Sequence, residues 1–166
     1  MSDLAELLQA IAHAPVQKRA VTNHGVLNEA YAYAKPSSFS RGMRIDLNGL
    51  TILLISGTAS IDDSGKSVHI GDFRAQMQRT LANITGLLES EGASWHDIVR
   101  TTCYLRDIER DYEAFNEERT AFYKEQGLDP LPASTGIQAI LCRPELLIEI
   151  EAIAMFRTAQ PPSEKE

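Results

Sequence analysis

The stretch from Leu146 to Phe156 reads LLIEIEAIAMF and decides the fold of this chain. Small and branched apolar residues alternate in it with a second set of residues. The first set is Ile148, Ile150, Ala152 and Ala154, and the second is Glu149, Glu151, Ile153 and Met155. Because side chains point to opposite faces of a strand at every step, this period of two predicts a β-strand. Glu149 and Glu151 are therefore expected on the same face.

Two carboxylates beside two apolar residues are unusual on one face of a strand, and two interpretations remain open. An edge strand can use charged side chains to avoid pairing with another chain. Alternatively, the carboxylate of Glu149 lies in a partly buried pocket and handles a proton or a water molecule.

A hairpin is predicted upstream of this strand. Met43–Leu47 and Leu50–Ser56 are apolar runs that flank Asn48-Gly49. Asn-Gly tolerates the positive φ angles of a type I′ turn and is the strongest short signal for a hairpin. Gly57 is expected to end its second strand.

Three helices are predicted from apolar residues that recur every three or four positions. The first covers Asp3–His13 and stops at Pro15. The second begins at Gly71-Asp72, where Asp72 can cap the free N–H groups, and runs to Leu88. The third covers approximately Arg110–Gln126.

The remaining segments favour strands. These are Ile98–Leu105, Thr135–Leu141 and a short strand near Val16–Val21, in a region up to Ser38 that is otherwise ambiguous. Hairpins mixed with helices indicate an α+β domain with helices on one face of a mixed sheet. We expect an N-terminal extension over residues 1–36, a single domain over 37–157 and a disordered tail over 158–166.

Composition narrows the function. The chain has 166 residues and a net charge of −7, which does not suit non-specific nucleic-acid binding. Its N-terminus lacks the basic region of a signal peptide, and its apolar runs are shorter than the ~20 residues that span a bilayer. A cytoplasmic protein that contacts neither membrane nor nucleic acid is expected.

The two cysteines, Cys103 and Cys142, lie in no CxxC motif or Cys/His cluster, which argues against a structural zinc site. We interpret both as reduced core residues. The four histidines are scattered, and neither a metal site nor a cofactor is predicted.

Several short motifs resemble the Rid (YjgF) family in their order and spacing. The IEIEAIA run over Ile148–Ala154 resembles that family's ending, and Pro132-Ala133 resembles the start of its Pro-Ala-Arg-Ser motif. Further matches, which extend the resemblance over Ser37–Phe156, are Phe39-Ser40, Ser56-Gly57, Gln76, Asn83 and Asn116.

This resemblance implies a chorismate-mutase-like α+β fold and a homotrimer in which three sheets form a central β-barrel. Clefts between the subunits would bind small carboxylic acids. In deaminase members of the family an arginine grips the carboxylate, and a strand glutamate orients the water that hydrolyses an imine to a ketone and ammonia.

Residue by residue, the resemblance assigns the catalytic glutamate to Glu149 and places Phe39 and Gly57 against the ligand. Ser134 occupies the position of the arginine, and Thr135 that of the following serine. Hydroxyl groups do not replace the rigid, positively charged guanidinium group of an arginine, so the standard imine deaminase activity is not expected. The acidic chain also lacks a His/Lys pair suited to ribonuclease chemistry.

Arg41 is a candidate for the missing cation, although a surface arginine at the start of a strand fits the sequence equally well. Ser38–Arg41 and Ser56–Ser60 also resemble the C-terminal half of chorismatases, Rid-like enzymes that hydrolyse chorismate. Arg143, in the last turn, is expected to face solvent. Two functions remain open: a hydrolase or deaminase acting on a carboxylate-bearing or cyclic metabolite, and a non-catalytic module that binds or senses such a ligand.

Overall fold

Six strands form one mixed sheet in the order β1-β2-β3-β6-β4-β5. The computed structural model describes residues 16–33, 36–47 and 49–157. The short strand β1 (Gln17–Ala20) pairs antiparallel with β2, as predicted. The predicted helix Asp3–His13 and the predicted tail lie outside the described residues. No helix in the described ranges is long and apolar enough to cross a membrane.

The hairpin is confirmed. β2 (Gly42–Leu47) and β3 (Leu50–Ala59) pair antiparallel, with Leu47 opposite Leu50 and Gly49 at a φ of 82°. Asn48, the other residue of the turn, lies outside the described residues. The prediction that Gly57 ends the second strand is wrong, because a register shift between Ile55 and Thr58 lets β3 continue to Ala59.

The strand that decides the fold is central. β6 (Ile148–Arg157) pairs antiparallel with β3 on one side and with β4 (Ile98–Leu105) on the other. This excludes the interpretation that Glu149 and Glu151 protect a sheet edge, because both edges of β6 are already paired. The predicted alternation is confirmed: the four small and branched apolar residues are buried at Ile148, Ile150, Ala152 and Ala154.

Two helices cover the face on which those apolar residues lie. α1 (Phe73–Glu89) packs on β3 and β6, and α2 (Ile108–Glu125) packs on α1 and β4. Asp72 caps α1 by accepting a hydrogen bond from the N–H of Ala75. Asp107 caps α2 in the same way, so this helix begins two residues before the predicted Arg110.

Within the residues that the structure describes, the opposite face of the sheet is open. Leu54 and Met155, which lie on it, keep 41% and 38% of their surface exposed. Ile153 lies opposite Leu54 on this face, so the exposed apolar residues are neighbours across β3 and β6. The prediction of helices on one face of a mixed sheet is therefore confirmed.

The last connections differ from the prediction. β5 (Ala133–Gln138) pairs parallel with β4 and begins two residues before the predicted Thr135. It also ends before Leu141, at Gln138, which lies opposite Leu105, the last residue of its partner strand β4. The chain between β5 and β6 is consequently a loop over residues 139–147, which forms one wall of the candidate site.

Candidate functional site

A cavity of about 800 Å³ opens beside the N-terminal end of β6. Three segments build most of its wall: the chain that leads into β2, the turn over residues 61–67 that follows β3, and the loop over residues 139–147. Its lining includes charged and aromatic side chains, namely Tyr33, Phe39, Arg41, Lys66, Arg143, Glu145 and Glu149. Its volume is typical of sites for small molecules.

Glu149 is partly buried at this cavity. Burial raises the pKa of its carboxyl above the ordinary value, and the negative charge of Glu151 raises that pKa further. A carboxyl with a raised pKa holds its proton closer to neutral pH, which suits a group that gives and takes protons.

Gly57 leaves the space that the Glu149 carboxyl occupies. A Cβ added at this glycine would overlap Oε1 of Glu149. Gly57 lies in the irregular part of β3 that interrupts the pairing with β6, between Ile55 and Thr58. The register shift in β3 and the absence of a side chain at Gly57 together leave space for the carboxyl of Glu149.

Arg41 is not the surface arginine that one interpretation of the sequence allowed, because only 3% of its surface is exposed. Its Nε and Nη2 atoms donate to the carbonyl of Asn28 at 3.0 and 2.9 Å, and Nη2 also donates to the hydroxyl of Tyr33. The guanidinium lies 4.8 Å from the ring centre of Tyr33 and 5.3 Å from that of Phe39. Burial lowers the pKa of Arg41.

The prediction that Arg143 faces solvent is wrong. This half-buried side chain lines the cavity, where Nη1 donates to the carbonyl of Gly65 at 2.6 Å and to Oγ of Ser67 at 3.2 Å. The sequence-based prediction failed because these partners lie on the turn after β3, about 76 residues away along the chain.

Arg106, at the end of β4, fixes the loop that carries Arg143. Its Nε donates to the carbonyl of Leu146 at 2.5 Å, and its Nη2 donates to those of Leu141 and Arg143 at 3.3 and 2.5 Å. Gln76 of α1 also binds this loop, since its Nε2 donates to the carbonyl of Glu145 at 2.9 Å. Sequence reasoning gave Arg106 no role, since nothing in its local pattern points to a distant loop.

Ser134 and Thr135 do not line this cavity in the single chain. Oγ of Ser134 accepts hydrogen bonds from Oγ1 of Thr101 at 3.0 Å and from Nη1 of Arg119 at 3.2 Å. Oγ1 of Thr135 accepts from Nη2 of Arg100 at 3.1 Å. Both residues lie on β5 at the edge of the sheet, whereas Phe39, Arg41, Gly57 and Glu149 are brought together at the cavity.

Both cysteines are free, but only Cys103 is a core residue. Burial raises the pKa of its thiol. Cys142 is exposed at the cavity, because it lies on the loop between β5 and β6 rather than inside a strand. The prediction of two core cysteines is therefore wrong for Cys142. In the described part of the chain, no cluster of three or more His, Cys, Asp or Glu side chains could hold a metal ion.

This difference predicts unequal thiol reactivity. Under native conditions, Ellman's reagent is expected to label Cys142, since thiolate formation requires access to water. Cys103 should react only after unfolding in denaturant, and the released chromophore measures both. A Cys142→Ser variant should not react when folded. Rapid labelling of that folded variant would contradict the buried position of Cys103.

Comparison with known proteins agrees with this fold. The curated 3-aminoacrylate deaminase RutC of Acinetobacter baylyi is 33% identical over 103 residues, which cover 62% of this chain and 78% of that protein. The crystal structure of the YjgF gene product of E. coli is 26% identical with a TM-score of 0.67, covering 84% of this chain and 99% of that one. A Rid-family protein of unknown function from Yersinia pestis, YyfA, is 27% identical with a TM-score of 0.66, covering 83% and 98%.

The family model described as Endoribonuclease L-PSP matches residues 32–156, which is most of the chain and includes the sheet from β2 to the second-last residue of β6. The Rid (YjgF) resemblance that was seen in the sequence is thereby confirmed. With this order of strands, the helices on one face and the matched residues, this chain belongs to the Endoribonuclease L-PSP family, which includes the Rid (YjgF) proteins.

Proposed function

We propose that this protein binds a small carboxylate-bearing or cyclic metabolite in the cavity beside β6 and hydrolyses it, with Glu149 positioning or activating water. The observation that carries the proposal is the carboxyl of Glu149, which is partly buried, has a raised pKa and is seated over Gly57 at the cavity wall. A buried carboxyl in a cleft with few local partners is a typical site of proton transfer.

Relatedness to a named deaminase supports a hydrolytic reaction at a carbon–nitrogen bond. In such a reaction water adds to the carbon of an imine, the carbon–nitrogen bond breaks, and ketone and ammonia leave. Glu149 would accept a proton from the water and return one to the leaving nitrogen. Because Ser134 stands where the arginine of the deaminases is expected, the substrate should differ from their amino-acid-derived imines.

A homotrimer is part of this proposal. The open face of the sheet presents apolar residues, among them Leu54, Ile153 and Met155, that no described part of the chain covers. An exposed apolar patch of this kind is typical of subunit interfaces. Assembly would bring Ser134 and Thr135 of one subunit towards the cavity of the next, where their hydroxyls would donate hydrogen bonds to the ligand.

The test is the substitution Glu149→Gln, which keeps the shape of the side chain and removes its proton chemistry. Turnover of carbonyl-forming imines and of cyclic carboxylic acids is expected to fall roughly a hundredfold or more. Released ammonia and carbonyl product measure the rate. Glu113→Gln on the exposed side of α2 is the matched control and should leave turnover unchanged. Unchanged turnover in Glu149→Gln would refute the proposed role.

A non-catalytic binding module is the second candidate, favoured by the absence of an arginine at position 134. It predicts saturable binding of a carboxylic acid by calorimetry with no product after long incubation. Detection of a product would exclude it.

A further inference from the structure

We infer that residues 3–13 form a helix that docks, within the same subunit, into the groove between α1 and α2. The inference goes beyond the proposed function, because it concerns a surface that the cavity beside β6 does not include. It gives a role to the apolar stripe of the N-terminal segment.

The groove between the two helices has a cavity of about 570 Å³. Its apolar lining is formed by Val26, Leu81, Ala82, Ala121 and Phe122. Within the described part of the chain Ala82 and Ala121 are exposed and Phe122 is only partly buried. Small side chains let a further helix approach closely, and an apolar groove between helices is a typical binding surface for an amphipathic helix.

The N-terminal segment carries an apolar stripe that fits such a groove. In a helix, one side of this segment holds four apolar residues, Leu4, Leu7, Leu8 and Ile11. Glu6, Gln9 and His13 lie on the opposite side. Isolated helices shorter than ~12–15 residues are marginal in water, so a helix of this length gains its stability by packing its stripe on another surface.

The chain that follows the segment already borders the groove. Arg19 of β1 forms a salt bridge with Glu91, which lies two residues after the end of α1. Further on, Nδ2 of Asn23 donates to the carbonyl of Gly86 at 2.8 Å, and Val26 lines the groove itself. At ~3.3 Å per residue, the chain from Arg19 back to residue 13 can span up to about 20 Å. The segment can therefore reach the last turn of α1.

The groove and the segment also agree in length. From Gln78 to Glu89, the residues of α1 that line the groove, the helix runs about 16 Å, and residues 3–13 span about the same length at a rise of ~1.5 Å per residue.

Apolar contact, rather than charge, would hold the segment in the groove. The glutamates at positions 89, 118 and 125 of the lining offer no attraction to Asp3 or Glu6, and Glu6 would face water on the far side of the stripe. Attachment within one chain supplies an effective concentration of about millimolar, so a weak contact is sufficient. The same attachment favours the segment of the same subunit over a second copy.

The only tryptophan of the chain lies against the groove and can serve as a reporter. Nε1 of Trp95 donates to Oγ1 of Thr85 at 2.8 Å, and its ring centre lies 5.0 Å from that of Phe122. Thr85 and Phe122 both line the groove. The test therefore attaches the fluorescent acceptor AEDANS at Glu6→Cys and measures energy transfer from Trp95. Cys142→Ser removes the exposed native thiol.

In the full chain, energy transfer from Trp95 should be efficient. Leu8→Asp places a charge on the apolar stripe and should abolish most of the transfer, whereas Gln9→Asp places the same charge on the opposite side and should leave it unchanged. From the side of the groove, Ala82→Glu should also abolish most of the transfer. Its matched control is Thr120→Glu, at an exposed position of α2 outside the lining, which should have no effect. Circular dichroism checks that each variant is folded.

Equal transfer in Leu8→Asp and Gln9→Asp overturns the inference, and so does equal transfer in Ala82→Glu and Thr120→Glu. Transfer in the folded protein no higher than in the urea-unfolded chain would leave the groove to another partner and also overturns it.

A mixture of two variants tests whether the segment docks on a second copy. Labelled Ala82→Glu chains, whose groove is blocked, are refolded together with unlabelled Leu8→Asp chains, whose groove is open. Docking within one subunit predicts that the transfer stays low. Recovery of the transfer in the mixture would mean that the segment docks on a neighbouring copy, and it would overturn the inference.

Discussion

Substitution of Gly57 by alanine is expected to abolish most of the activity while leaving the fold intact. The new Cβ would overlap Oε1 of Glu149, so the carboxyl must leave its seat. Since the clashing atom is the end of a flexible side chain, the backbone need not move. We expect a free energy of unfolding within about 1 kcal/mol of the wild type, because alanine also restricts the unfolded chain. Turnover should fall about a hundredfold, as displacements of about 1 Å do in active sites.

The displaced carboxyl also gives a signal that needs no substrate. In Gly57→Ala the pKa of Glu149 should fall from its raised value towards that of an ordinary glutamate, because the carboxyl moves into water. Carbon-13 NMR titration of the glutamate carboxyls measures this change. Gly25→Ala is the matched control, since a Cβ there meets Asn23 at an ordinary 3.4 Å. An unchanged pKa of Glu149 in Gly57→Ala would show that the added Cβ does not displace the carboxyl, contrary to what the structure indicates.

The largest loss of stability is expected from Arg106→Met. Methionine keeps much of the apolar stem but removes the side-chain hydrogen bonds to the carbonyls of Leu141, Arg143 and Leu146. Hydrogen bonds to charged groups contribute about 1.5–3 kcal/mol each, and the carbonyl of Arg143 keeps the hydrogen bond that it accepts from the N–H of Leu146. We therefore expect a loss of about 3 kcal/mol, which corresponds to a melting temperature lower by roughly 6–12 °C.

Thermal unfolding followed by circular dichroism checks this expectation. Arg74→Met removes an exposed arginine that forms surface ion pairs with Glu117 and Glu118. This control should change the melting temperature little. A wild-type melting temperature in Arg106→Met would mean that the loop over residues 139–147 is held by its other contacts alone.

The fold was predictable from the sequence where local patterns carry the information. The alternation from Ile148 to Ala154, the Asn-Gly turn and the cap at Asp72 each depend on neighbours along the chain, and the structure agrees with them. The position of Glu149 on the face opposite Ile148 follows from the same alternation.

The remainder of the site depends on partners that are distant in sequence. Arg143 points inward because the turn at Gly65 and Ser67 accepts its hydrogen bonds, and no pattern around residue 143 encodes that meeting. Likewise, the apolar run from Leu50 predicts β3 but not the irregularity around Gly57. That irregularity becomes meaningful only once β6 lies alongside and brings Glu149 over the glycine.

The manner in which the loop over residues 139–147 is fastened has a consequence for how this protein can diverge. Arg106 and Gln76 bind it through main-chain atoms, so these contacts do not depend on the identity of the side chains at positions 142, 143 and 145. Those side chains line the cavity. The side chains that line the cavity can therefore be substituted while these main-chain contacts hold the loop in place. New ligand preferences can evolve at this loop through single substitutions that leave the protein folded.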